Sequence, residues 1–202
     1  MELRDQSFEN RWVRLEPIAA STEVRDFVKA SGAVEAMWKW LPRLPERGTT
    51  YEAYYEHVMA KANDGSMIPL FAHDKMTGAF AGGANFMDMS RTHRSARIGY
   101  MWVPPHLRGT SIALATQAAM IQGAINWRAK RVFWFVDVLN TRQVAFLENK
   151  VGAQKEGVFE SVARMNDGRW SDIAVYALVG DRLENAVEQI EARLEIEFAE
   201  TD

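Results

Sequence analysis

The 202-residue chain contains no cysteine. Disulfide scaffolds, thiolate zinc sites and cysteine nucleophiles are therefore excluded. No apolar run approaches the roughly 18 residues that a membrane span needs. The opening Met1-Glu2-Leu3-Arg4-Asp5 is charged where a secretory signal would be apolar. The expectation is a cytoplasmic protein with no membrane partner. Positive charge is not in excess either: 24 Lys and Arg against 27 Asp and Glu leave −3. A general electrostatic grip on nucleic acid is not expected from that balance. His73, His93 and His106 are scattered without metal-ligand spacing, so no metal is expected. Internal repeats and low-complexity tracts are missing as well.

What is present suits one globular domain: 48% hydrophobic residues with 25% charged can bury a core and remain soluble. Alternation over Arg11 to Glu16 predicts a first strand. Ser21 is a candidate cap for a helix to about Ala30, and Thr50 for a second, to about Asn63, stopped by Asp64-Gly65. Ile68 to His73 and Ala79 to Met87 read as strands joined by the turn Asp74 to Gly78. Ser95 to Val103 is another strand. Pro104-Pro105 ends its pairing, because proline offers no N–H.

Leu114, Ala118, Ile121 and Ile125 then recur at spacings of four, three and four, one apolar face of a helix. Val132 to Val136 is unbroken apolar sequence, which predicts a strand buried on both faces. Strand, helix and strand in this order make a parallel crossover. Thr141 to Lys150 reads as a short helix ending before Gly152. Asn166 to Arg169 marks a hairpin between Gly157–Met165 and Trp170–Leu178. A last helix spans about Asp181 to Phe198. Its Leu183, Val187, Ile190 and Leu194 either pack on their own domain or form a seam between two copies; a homodimer is the slightly favoured expectation. Residues 1–180 form the main domain and 181–202 its C-terminal helical extension.

The segment Arg108-Gly109-Thr110-Ser111-Ile112-Ala113 carries the clearest chemistry. A helix start leaves about four N–H groups unpaired and bears a partial positive charge, so an anion fits there. Gly109 allows a tight turn and close approach to a ligand. Thr110 or Ser111 can cap the helix or donate to a phosphate oxygen, and Arg108 adds charge. An ordinary capped helix accounts for the same residues. Position favours the anion, since ligands of open α/β sheets lie beyond the carboxyl ends of parallel strands. This turn leaves one such end, and Asp137 to Asn140 leaves the next.

Arg108 to Ala113 resembles the pyrophosphate loop of the GNAT acetyltransferase superfamily. Ile98-Gly99-Tyr100-Met101-Trp102-Val103 resembles the strand before it. Asn140 with Phe146-Leu147-Glu148-Asn149-Lys150-Val151-Gly152-Ala153 resembles the motif after it. Gln154-Lys155-Glu156-Gly157 is similar to the branch that modifies ribosomal-protein N-termini, the Rim type. The sequence departs from the family pattern with Ser111 in place of glycine, Arg97 in place of an acidic residue, Gln143 in place of serine or alanine, and Leu147 where many members carry a tyrosine acid. The resemblance implies a mixed, mostly antiparallel α/β sheet with a central parallel crossover, splayed strands and a C-terminal helix.

The resemblance also implies acetyl-CoA as acyl donor and direct attack by a primary amine of a peptide N-terminus or small molecule. A bulge in the strand Ser95 to Val103 is implied, with pantetheine along Met101, Trp102 and Val103 and the pyrophosphate on Arg108, Gly109, Thr110, Ser111, Ile112 and Ala113. Trp102 or Val103 would offer a backbone N–H to the oxyanion. Asn140 would bind pantetheine or order a water, and Asn149 belongs to the same motif. Asp137 reads equally as a cleft base or as a turn residue. Trp38, Trp40 and Tyr100 are candidates for the acceptor side. A non-catalytic acyl-CoA-binding module on the same fold is the alternative reading.

Overall fold

The computed structural model describes residues 6–18, 39–40, 42 and 51–199. The helix expected after Ser21, the caps at Ser21 and Thr50, and Trp38 lie outside the described residues. Among the described residues, eight strands form one sheet in the order β1-β2-β3-β4-β5-β6-β8-β7. They are β1 (Phe8–Glu9), β2 (Val13–Pro17), β3 (Met67–Asp74), β4 (Phe80–Ser90), β5 (Ser95–Trp102), β6 (Arg131–Asp137), β7 (Gln154–Arg164) and β8 (Trp170–Val179). The helices are α1 (Tyr51–Asn63), α2 (Ile112–Asn126), α3 (Thr141–Phe146) and α4 (Arg182–Ala199). β5 and β6 are the parallel pair, joined through α2, and all other neighbours are antiparallel.

Local chemistry explains the corners. Asp74 accepts from Gly78 N at 2.8 Å, and its carboxylate accepts from Met76 N at 2.8 Å and Thr77 Oγ1 at 2.9 Å, an Asx-type turn. Gly152 ends the stretch after α3 at φ 75°, a conformation that favours glycine. That stretch opens into a π-type turn over Leu147–Val151 instead of continuing the expected α-helix. Phe8–Glu9, which pairs with β2 through Phe8↔Leu15, is too short to carry a period in the sequence.

Two helices, α2 and α4, pack on one another and share one core with the sheet, including Leu15, Leu70, Phe86, Ile98, Ile121 and Leu178. Tyr54, Tyr55 and Val58 of α1 pack with Met67 and Met87 in a second cluster. Along β3, Ile68, Leu70 and Ala72 join the first cluster while Met67 and Phe71 join the second. Alternation assigns the clusters to opposite faces.

Two expectations are corrected. β6 is not buried on both faces: Val132, Trp134 and Val136 are buried, while Phe135 is 42% exposed. The packed helices take one set of alternating side chains, and Phe133 and Phe135 lie on the other face against each other and Phe159. Leu183, Val187, Ile190 and Leu194 are all buried in the chain's own core. The face is used within the domain and supplies no seam for a second copy.

Candidate functional site

The two parallel strands part soon after they meet. Their register runs Ser95↔Arg131, Ala96↔Val132 and Arg97↔Phe133 and stops there. β5 continues to Trp102 and β6 to Asp137 without pairing each other, and a cleft opens between them.

A bulge drives the parting. β4 and β5 pair at Asn85↔Gly99 and again at Gly83↔Trp102, so β4 advances two residues (85 to 83) while β5 advances three (99 to 102). Tyr100 takes up the surplus at φ 48°, an uncommon conformation for a side-chain-bearing residue. Asn85 holds it there. Its buried carboxamide donates to Gly99 O at 3.2 Å and Tyr100 O at 3.3 Å. Gly82 makes room: at φ 134°, a Cβ on it would stand 2.2 Å from the Trp102 carbonyl oxygen.

Neither Asn85 nor Gly82 has a local signal that distinguishes it in the sequence. Tyr54, from α1, joins the same region. Burial, followed by the nearby Tyr100, pushes its phenol well above the ordinary value and outweighs a hydrogen bond with Asn85. Burial also raises the phenol of Tyr100.

The cavity measures about 620 Å³, within the range of small-molecule sites. Of the residues expected from the sequence, Trp40, Tyr100, Met101, Trp102, Val103, Arg108, Gly109, Thr110, Ser111, Ala113, Asp137 and Asn140 line it. Ile112 does not: its side chain is buried in the core at 5% exposure. Asn149 is also apart from the lining. It is exposed, and its carbonyl accepts from Arg193 Nη1 at 3.3 Å. Leu147 is fully buried in the core, away from the cavity wall.

At the open end, Gly109 adopts φ 86° and the chain turns into α2. Thr110 is occupied in closing that turn, since its N–H and hydroxyl both donate to Leu107 O, at 3.2 and 2.7 Å. Ser111 is the N-cap without a side-chain cap bond. Its hydroxyl instead donates to the carboxylate of Glu197 on α4, whose other oxygen is 3.7 Å from Lys150 Nζ. Glu197 and Lys150 both line the cavity. A helix start flanked by Arg108 and Lys150, with one carboxylate already drawn to it, fits a phosphate-bearing ligand.

On the β6 side, Asp137 is 5% exposed. Burial alone would raise its carboxyl. The hydrogen bond from Arg169, with those from Leu139 N and Ser171, outweighs burial and holds it below the usual carboxylate range. A carboxylate so engaged is a weak proton acceptor. Its geometry orders the loop instead: Leu139 N donates to Asp137 Oδ1 at 2.9 Å, and Asn140 N to Asp137 O at 2.8 Å. Asn140 caps α3 through Gln143 N→Oδ1 at 3.3 Å, and its amide NH₂ is the remaining donor beside the cleft. Arg169 also lies 5.9 Å from the ring centre of Trp40, which with Pro42 and Met165 walls the cavity.

Residues 13–154 match the family model described as the acetyltransferase (GNAT) domain. No curated protein matches the chain. Among solved structures, a GCN5-related N-acetyltransferase from Brucella melitensis is similar at 22% identity and TM-score 0.79, with 93% of this chain and 84% of that one covered. Mycobacterium smegmatis RimJ, solved in complex with CoA-disulfide, is similar at 22% identity and TM-score 0.75, with 93% of each chain covered. Spermidine N-acetyltransferase from Vibrio cholerae, in complex with CoA and spermine, is similar at 15% identity and TM-score 0.69, with 86% and 99% covered. At these identities the structures share the fold.

Proposed function

The chain belongs to the GNAT acetyltransferase domain family, and on that premise we propose that it transfers an acetyl group from acetyl-CoA to a primary amine in a ternary complex. The observation that carries this reading is the parting of β5 from β6 beyond Arg97↔Phe133, with the Gly109 turn at its mouth. The gap that opens between β5 and β6 past that pair runs alongside Met101 to Val103, which suits an extended pantetheine arm. The backbone N–H groups at the start of α2 suit the pyrophosphate.

The donor supplies an activated acyl carbon. The backbone N–H of Trp102 or Val103 stabilises the oxyanion that develops on the carbonyl. The amine nitrogen forms the new C–N bond, the C–S bond breaks, and the amine proton passes by way of solvent to the thiolate. With Leu147 in the core, no tyrosine acid stands at that position, and a thiol of pKa about 8.5 leaves as thiolate near neutral pH. An α-amine near pKa 8 is partly neutral already, so a peptide N-terminus suits the site better than a lysine side chain. That preference, and the shared fold of RimJ, support the Rim-type branch. Asn140 orients pantetheine or a water through its NH₂. Asp137 acts as a positioning residue for that loop. Trp40, Tyr100 and Tyr54 form the acceptor wall.

Purified protein with acetyl-CoA and a panel of amines tests this. Thermal stabilisation by acetyl-CoA and amine-dependent thiol release are expected, with acetylated α-amines found by mass spectrometry. Thermal stabilisation without thiol release above hydrolysis would favour a non-catalytic acyl-CoA-binding module.

A further inference from the structure

Among the described residues that line the cavity, four buried polar atoms have no hydrogen-bond partner: Nε of Arg97, which keeps Asp88 at 2.6 Å as an ion pair, and Oε1 and Nε2 of Gln117 with Nε1 of Trp134, which have no such partner. Both side chains line the cavity; Gln117 is fully buried and Trp134 is 3% exposed. An unpaired buried donor or acceptor is costly, and apolar side chains would fill both places without that cost. Two such residues lining one cavity point to a ligand.

Their place in the fold says which part of the ligand meets them. β5 and β6 last pair at Arg97↔Phe133, and Trp134 is the next residue along β6. The crossover runs α2 back beneath the sheet from the open end, and Gln117 lies about 9 Å along it from Ser111, at ~1.5 Å per residue. Both groups therefore stand towards the closed end of the cleft. A thioester with its pyrophosphate at the start of α2 and its pantetheine along Met101 to Val103 points its acyl chain at them.

We infer that Gln117 and Trp134 form a recognition site for an oxygen on the acyl group, so that the chain takes hydroxyacyl thioesters besides acetyl-CoA and binds them more tightly than alkanoyl thioesters of the same length. The inference rests on the donor-site reading above. A carboxamide both donates and accepts, and an indole N–H donates; together they match a neutral hydroxyl, which also does both. A carboxylate fits less well, because Arg97, the cation at this end, is 2.6 Å from Asp88 and lies over the Phe135 ring at 4.8 Å.

Calorimetric titration with free CoA, butyryl-CoA and 3-hydroxybutyryl-CoA tests it on the wild-type chain, Gln117→Leu and Trp134→Phe. The wild type should bind the hydroxyacyl thioester about tenfold more tightly than its alkanoyl match. Gln117→Leu should erase that ratio and leave the affinity for free CoA within about twofold, with Trp134→Phe reducing the ratio in part. Equal wild-type affinities for the two thioesters, with free CoA bound, would overturn the inference and leave a water in the site. Gln117→Leu weakening free CoA as much as the thioesters would also overturn it, because the pair would then read pantetheine. No binding of free CoA by the wild type would refute the donor-site reading itself, and this inference with it.

Discussion

Glu197→Gln removes one negative charge from the mouth of the cleft while keeping the side chain's shape and an oxygen that can accept from Ser111. If a pyrophosphate binds at the start of α2, it must approach this carboxylate. Taking a separation of about 6 Å and an effective dielectric constant of about 40 to 80, each unit of phosphate charge is opposed by roughly 0.7 to 1.4 kcal/mol. Glu197 is about a third exposed at 36%, so solvent screening favours the low end. The substitution also frees Lys150 Nζ, now 3.7 Å from the carboxylate, to face the phosphate. The net gain is about 1 kcal/mol, or roughly fivefold tighter binding of CoA.

Isothermal titration at about 0.01 M and about 1 M salt provides the assay. The gain should shrink at high salt as the Debye length falls from about 30 to about 3 Å. Glu195, on the same helix but 4.0 Å from Arg11 and 64% exposed, serves as control, and Glu195→Gln should change little. Ser111→Gly, which removes the hydroxyl that holds the carboxylate, should bind CoA comparably or better. Unchanged or weaker CoA binding by Glu197→Gln would refute placement of the pyrophosphate at the start of α2.

Three further outcomes are expected. Asn85→Leu removes both bonds to the bulge and should lower stability by about 1–3 kcal/mol in urea unfolding, while weakening CoA binding measured by titration; intact CoA affinity would show that the bulge persists without it. Gly82→Ala places a Cβ 2.2 Å from a backbone oxygen at a positive φ and should cost several kcal/mol, visible as a large fall in Tm. The Asp137 carboxyl is held below its ordinary value in the fold, so its contribution to stability is complete above about pH 4 and is lost as pH falls through the lower folded value. Arg169→Leu leaves that carboxylate buried without its cation, which should cost about 3 kcal/mol at neutral pH; with the folded value raised by burial, the variant should lose less on acidification, and the two stability curves should converge as pH falls. Parallel stability curves for wild type and variant between pH 3 and 7 would show that Arg169 does not hold it.

Much of the architecture was legible because its causes are local. Asp74 to Gly78 and Asn166 to Arg169 bend the chain through their own side chains and backbone, and β3, β4, β7 and β8 follow on either side. Pro104-Pro105 ends β5's pairing wherever β5 lies. Arg108, Gly109 and Ser111 announce a glycine turn into a helix within four residues. Such features depend on neighbours a few positions apart, which a period or a turn signal records.

The working parts of the cleft depend on segments far apart in the chain, and only their packing decided them. Ser111 meets Glu197 across 86 residues, a partner that no local pattern around Ser111 announces. Asn85 holds Tyr100 across 15 residues, and Gly82 is required only because the Trp102 carbonyl lies over it. Asp137 has its cation only because β8 and its hairpin bring Arg169 beside it. The apolar run of β6 could not show that helices cover one of its faces, and the stripe on α4 could not show that α2 had already taken it. Composition and periodicity say which side chains seek burial and which segments can turn. Register, strand separation and the partner of each buried polar group follow only when distant segments compete for the same space.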